Sequence, residues 1–322
     1  MGNYDYIKAL DTYKQFIAEI DNDHLFHSIL LINNDGEFLN EYARSLAGEI
    51  LSKDYPQRKQ NIMERVWVGV HPDCMMYGQT KPLDADGVRG LLDTVYVAPY
   101  EGTKKVYIIY NFDCIGTTVA NKLLKTLEEP TAGTVFLLLA KNENKILPTL
   151  LSRSLKFYVE GYSAKIIERE LTEKNIKNPE LLAMESNYNL EDAKKLSEKI
   201  NPSELANFVV DVLTKLNVTS DLVKITAKSG VATDSVTEFF GLVSNLCMSA
   251  IKYKAGVVDN SETKSTGKTV KIIADNWTIN ALALIIEATT DALKKNDANV
   301  STVNIMDQFL LKILEVKRKC NT

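Results

Sequence analysis

Cysteine is scarce in this 322-residue chain, and its four copies, Cys74, Cys114, Cys247 and Cys320, stand far apart. No C-x-x-C pair exists, so a zinc module has no ligand pattern to stand on, and the four read as reduced core residues. Long hydrophobic runs are missing too. No stretch of 18 apolar residues occurs, which excludes a membrane-spanning helix by length. The opening Met1-Gly2-Asn3-Tyr4-Asp5-Tyr6 lacks the charged-then-apolar order of a secretory leader. The expected compartment is therefore the cytoplasm, with no membrane partner. Positive charge is not in excess either: 38 Lys and Arg stand against 42 Asp and Glu, a net charge of −4. A protein that binds nucleic acid alone usually shows a basic face that displaces counterions from phosphates. None is visible here, so any DNA contact should be local and shared with partner proteins.

What is present is ordinary for a globular protein, 45% hydrophobic and 25% charged residues, in a chain long enough for two or three domains. The first half alternates strand-like and helix-like stretches. Short apolar runs at Ser28–Ile32 and Lys105–Tyr110 predict buried parallel strands, with Val135–Ala140 a third strand, Leu155–Val159 a fourth and Val66–Val70 a further short one. Helical spacing covers Asp5–Ile20, Leu39–Leu51, Asp84–Val97 behind an acidic cap, and Thr118–Glu129, which Pro130 stops. Strands alternating with helices imply right-handed βαβ units around a parallel sheet, with any ligand at the carboxyl ends of the strands. This α/β domain is expected over residues 1–160. A small bundle of two or three short helices should follow over 161–202, and an all-α domain over 203–322. Val257–Thr269 is polar and reads as a loop. Its Gly267-Lys268-Thr269 superficially resembles the end of a phosphate-binding loop, but lacks the upstream glycine and buried strand that such a loop needs.

One ordered set of motifs carries more information. Lys105-Val106-Tyr107-Ile108-Ile109 is followed by Asn121-Lys122-Leu123-Leu124-Lys125-Thr126-Leu127-Glu128-Glu129-Pro130, and then by Leu147-Pro148-Thr149-Leu150-Leu151-Ser152-Arg153-Ser154. His71-Pro72-Asp73, Val88-Arg89 and Pro99-Tyr100-Glu101-Gly102 precede them in order. Read alone, Leu123, Leu124 and Leu127 are one apolar helix face, the two glutamates a solvated helix end, and Arg153 a surface salt-bridge partner. Together, the order and spacing over roughly residues 5–200 resemble the clamp-loader AAA+ family of bacterial DNA polymerase III, with the pattern of its delta-prime subunit. The resemblance implies an α/β AAA+ module, a helical lid and a helical collar. It also implies gamma/tau-type and delta subunits as partners, and a role in placing the sliding clamp on primed DNA. Ser152-Arg153-Ser154 would correspond to the family's Ser-Arg-Cys motif, making Arg153 an arginine finger for a neighbouring subunit's ATP, supported by Ser152.

The departures from that family bear on mechanism. An ATP site needs backbone N–H groups wrapped around phosphates, a Lys for their charge and a Ser or Thr for magnesium. Aligning Ala43-Arg44-Ser45-Leu46-Ala47 on the family helix leaves Asn33-Asn34-Asp35-Gly36-Glu37-Phe38-Leu39-Asn40 as the phosphate loop. Leu39 stands in the Lys position, Asn40 in the Thr position and Phe38 in that of the last Gly, while Asp35 and Glu37 add negative charge. The family's Asp-Glu after the central strand is replaced by Tyr110-Asn111, and Asp113 lies three residues too far to stand in. The expectation is a subunit with no ATP of its own that acts in trans. Relatives often carry a four-cysteine zinc module before His-Pro-Asp. Ser52–Val66 contains no cysteine, so no zinc is expected and any feature there must be held otherwise. The sequence leaves open an inactive scaffold of some other assembly, an active ATPase with a divergent loop, and a direct DNA-binding protein.

Overall fold

The computed structural model describes residues 3–176, 179–186, 188–199, 202–216, 218, 220–221, 225, 235–257 and 264–320. Two compact units result, Met1–Gly161 and Tyr162–Thr322.

Among the described residues of the first unit, five strands form one parallel sheet in the order β2-β3-β4-β1-β5. They are β1 (Ser28–Ile32), β2 (Cys74–Tyr77), β3 (Lys105–Ile109), β4 (Thr134–Ala140) and β5 (Leu155–Tyr158). Every residue of β1, β3 and β4 is buried, which explains why these strands read as unbroken apolar runs: both faces are covered by helices. The covering helices are α1 (Tyr4–Ala9), α2 (Asp11–Asp21), α3 (Gly36–Ser52), α4 (Lys59–Trp67), α5 (Ala85–Val95), α6 (Thr117–Glu128) and α7 (Pro148–Leu151). Helix α5 starts at the expected acidic cap, where the Asp84 carboxylate accepts from Gly87 N at 2.9 Å. Helix α6 buries Ala120, Leu123 and Leu127 against the sheet and stops two residues before Pro130. This is the parallel α/β architecture expected from the sequence.

One strand was misplaced by the sequence reading. Val66–Val70 is not a strand: Val66 belongs to α4, with Ile62 and Met63 buried beside it, and Val68 and Val70 are 70% and 63% exposed. The strand at the β3 edge of the sheet is Cys74–Tyr77, which pairs with β3 in the register Cys74↔Val106. Val66, Val68 and Val70 alternate in the sequence, but Val66 ends a helix face while Val68 and Val70 follow the helix and face solvent.

The second unit is helical. Ala164–Glu173, Pro179–Glu185 and Leu190–Lys199 come first, then Pro202–Lys215, Val236–Lys254, Lys264–Asn276, Ile279–Asp297 and Thr302–Cys320. Phe239, Phe240 and Phe309 pack with ring centroids 4.9–5.9 Å apart, and the Trp277 indole donates to Leu213 O at 2.6 Å. The polar loop expected over Val257–Thr269 needs correction. Residues 258–263 lie outside the described ones, and Gly267, Lys268 and Thr269 fall within the helix Lys264–Asn276 rather than on a strand-to-helix turn. No single helix among the described residues is long and apolar enough to cross a membrane.

Candidate functional site

The residues singled out from the sequence lie at two opposite ends of the sheet. At the carboxyl end, Asn33, Asn34 and Asp35 join β1 directly to α3. Asn33 is held on both sides: its Nδ2 donates to Val159 O at 2.9 Å, and its Oδ1 accepts from Asp35 N at 2.7 Å. Asp35, 1% exposed, is the N-cap of α3, and its Oδ1 accepts from Glu37 N and Phe38 N at 3.0 and 3.1 Å. The first N–H groups of a helix have no partner within it, and they are the groups a phosphate loop offers to its ligand. Here a carboxylate from the same chain already engages two of them. Gly36 is the first helical residue. Leu39, in the lysine position, is 2% exposed and packs into the interior with Phe38.

The two altered motifs meet. Tyr110, just beyond β3, donates its hydroxyl to Asn40 Oδ1 at 2.9 Å, joining the position expected for the magnesium-binding Thr to the one expected for the acidic residue. Arg44 Nε lies 3.5 Å from the same hydroxyl, and Arg44 also donates to Trp67 O. A divalent cation at this point would face a neutral phenol–amide pair with a guanidinium behind it, the wrong chemistry for a hard cation that seeks carboxylate oxygens. Asn111 takes a left-handed conformation, φ 51°, and its Nδ2 donates to Gly78 O at 2.9 Å. Gly78, φ 83°, is required there, because a Cβ would stand 2.6 Å from Tyr110 O. Asp113 is buried, and its Oδ2 accepts from Asn142 N at 3.1 Å. The residues present do not fit a bound magnesium nucleotide.

At the amino end of the sheet lie Ser152, Arg153 and Ser154, between α7 and β5. Ser154 Oγ is 3.1 Å from Ser28 Oγ at the start of β1, and His27 Nε2 is 3.0 Å from Leu127 O at the end of α6. Ser152 Oγ donates to Thr149 O at 3.1 Å. The Arg153 guanidinium donates through one NH2 group to Thr149 O at 2.7 Å, and forms an ion pair with Glu128 through the other. The five residues of β1, at about 3.3 Å each, put roughly 16 Å of strand between this arginine and the loop Asn33–Asp35. The structure therefore brings Ser152 and Arg153 together, brings Asn40 and Tyr110 together, and keeps the two pairs apart.

Sequence reasoning did not find the Asp35 cap, the Tyr110–Asn40 bond or the Glu128–Arg153 pair. A signal for the first was present, since Asp directly before Gly at a strand-to-helix turn is an N-cap pattern. The other two are contacts between residues 70 and 25 positions apart, which only the fold creates.

Of residues 52–66, those in helix α4 pack against α3. Helix α4 lies on α3 so closely that a Cβ on Gly48 would stand 2.1 Å from Met63 Sδ. Its Arg65 makes two hydrogen bonds of 2.7 Å to Glu101.

A family model described as "DNA polymerase III, delta subunit" matches residues 9–162, nearly the whole of the first unit. The delta' subunit of DNA polymerase III from Buchnera aphidicola subsp. Baizongia pistaciae is 25% identical over 224 residues, 66% of each chain. Over this segment the chain is similar to the delta-prime clamp-loader family. The tau subunit of Salmonella typhimurium LT2 is 39% identical over 100 residues, 31% of this chain and 15% of tau. The matched segments span 15% to 32% of the length of four such relatives. A solved DNA polymerase III gamma-subunit-related protein from Thermotoga maritima is 17% identical, with a TM-score of 0.40 over 95% of this chain and 99% of that one. In this chain the end of the motif Asn121–Pro130 and the Ser-Arg motif share the amino end of the sheet, and the loop Asn33–Asn40 meets Tyr110 at the carboxyl end.

Proposed function

We propose that this chain is a delta-prime-like subunit of a bacterial DNA polymerase III clamp loader that hydrolyses no ATP itself and presents Arg153 to the ATP site of a neighbouring subunit. The observation that carries the reading is the separation of Arg153 from a loop whose N–H groups Asp35 already engages. A guanidinium so far from its own chain's loop has no role in a nucleotide bound there. On a neighbour, it would stabilise charge on the transferring γ-phosphoryl group, an effect worth about 10³–10⁵ in rate. Ser152 would steady the turn that presents it. In this reading residues 161–202 form a lid and 203–322 a collar. The collar joins gamma/tau-type and delta subunits in the cytoplasm, and the assembly places the sliding clamp on primed DNA. Neither ATP nor zinc belongs to this chain.

The test is the clamp- and DNA-stimulated ATPase of a reconstituted loader carrying the wild-type chain or Arg153→Ala, with assembly verified by size-exclusion chromatography. The site served by Arg153 should lose at least about 10³-fold in rate. An unchanged rate in an intact assembly would leave a scaffold role only. Equilibrium dialysis of the purified chain against magnesium-ATP should show no binding, and tight binding would instead indicate an ATPase with a divergent loop.

A further inference from the structure

In the chain as it stands, the Arg153 guanidinium is committed within its own subunit. One terminal nitrogen pairs with Glu128, and the other donates to Thr149 O at 2.7 Å and lies 3.4 Å from Ser152 Oγ. The Nε is buried and has no hydrogen-bond partner among the described residues. Such a conformer uses the two ends of the fork and wastes its root, so it leaves the arginine a reason to move. Glu128 cannot follow it far. It is the last residue of α6, whose end is fixed by His27 on Leu127 O and by the burial of Leu127. An acidic residue at a helix C-terminus opposes the helix dipole, and Arg153 is the cation that offsets it.

We propose that Glu128 is a positioning residue that parks Arg153 on its own subunit until a neighbour's nucleotide draws the guanidinium away. The proposal rests on the finger reading above for its purpose, but its geometry stands on this chain alone. Both side chains are partly exposed, 32% for Arg153 and 46% for Glu128, so the pair is weak and exchangeable. A phosphoryl group carries more charge than one carboxylate and accepts the same fork in two bonds, so it competes well for the arginine once within reach. The second glutamate of the motif, Glu129, lies beyond the helix end, where its backbone N–H caps Lys125 O at 3.0 Å, and serves as the internal control.

Two measurements separate this proposal from the reading it rests on. The first uses the full purified chain without partners: phenylglyoxal modification of Arg153, followed by peptide mass spectrometry, in wild type, Glu128→Gln and Glu129→Gln, each checked for an unchanged melting temperature. Arg153 should react about two- to five-fold faster in Glu128→Gln, the range a partly exposed pair supports, and at the wild-type rate in Glu129→Gln. Equal rates in all three would overturn the parking role, whatever Arg153 does in the assembly. The second uses the reconstituted loader: Glu128→Gln should lower KM for ATP by a similar factor, and the double variant with Arg153→Ala should match Arg153→Ala. If Glu128→Gln instead lowers kcat as Arg153→Ala does, Glu128 aims the arginine rather than withholding it, and the proposal fails. If Arg153→Ala changes nothing while the modification rates differ as expected, the finger reading fails and the intrasubunit latch stands.

Discussion

Asp35 carries two consequences from one carboxylate. It satisfies two N–H groups that would otherwise need water or a ligand, and it places negative charge where a phosphate would come. Replacing an N-cap Asp by Ala costs about 0.5–2 kcal/mol. Asp35→Ala should therefore lower the unfolding free energy by about 1 kcal/mol in a urea titration. It should not create magnesium-ATP binding, because Leu39 still stands buried where a cation is needed and Tyr110 still bonds to Asn40. Nucleotide binding gained by this single change would mean that the carboxylate alone closed the site. Tyr110 and Asn40 make the same point in another form. A phenol and an amide satisfy each other where a hydroxyl and a carboxylate would have left room and charge for a metal.

Between α3 and β2, helix α4 is held by packing and by an ion pair. Ile62, Met63 and Val66 of α4 are buried, with Met63 lodged over Gly48 of α3, where any larger residue would collide. The far end is tied by Arg65 to Glu101, which follows the Pro99-Tyr100 turn, and that turn is held by Asp73, whose carboxylate accepts from Tyr100 N and Glu101 N. Met63→Ala should destabilise the first unit by about 2–5 kcal/mol, the range for emptying a packed Met site. Incubation with EDTA or phenanthroline should leave the melting temperature of the wild-type chain unchanged. A drop on chelation would show a structural metal in this chain.

At the scale of the whole molecule, each unit holds its own core and its own buried thiol. Cys74 sits on β2 in the first unit and Cys247 in the helix Val236–Lys254 of the second, both buried, and burial pushes each thiol up to about 12. Thiolate is the reactive form, so both should resist a thiol reagent at neutral pH until their units unfold. Cys114, exposed after β3, should label in the native state. Pulsed labelling along a denaturant titration, read by peptide mass spectrometry, should give Cys74 and Cys247 each the midpoint of its own unit. Labelling of either in native buffer at the rate of Cys114 would contradict the burial described here.

The parallel sheet, its order of helices and the family resemblance were legible in the amino-acid sequence. Fully buried strands leave unbroken apolar runs, and Leu123, Leu127 and Pro130 mark a helix face and its stop whatever surrounds them. The identities of Leu39, Asn40, Tyr110 and Asn111 were equally plain, and the proposed loss of a nucleotide site rests on them. The strand Cys74–Tyr77 and the helix Lys264–Asn276 were not, because short or polar segments take their conformation from what they pack against. Only the tertiary structure decided that Tyr110 fills the place beside Asn40, that Asp35 folds back onto α3, and that Arg153 rests on Glu128 at the end of the sheet away from the altered loop. Those facts depend on chain segments distant in sequence arriving at one point, and no local pattern records where two such segments meet.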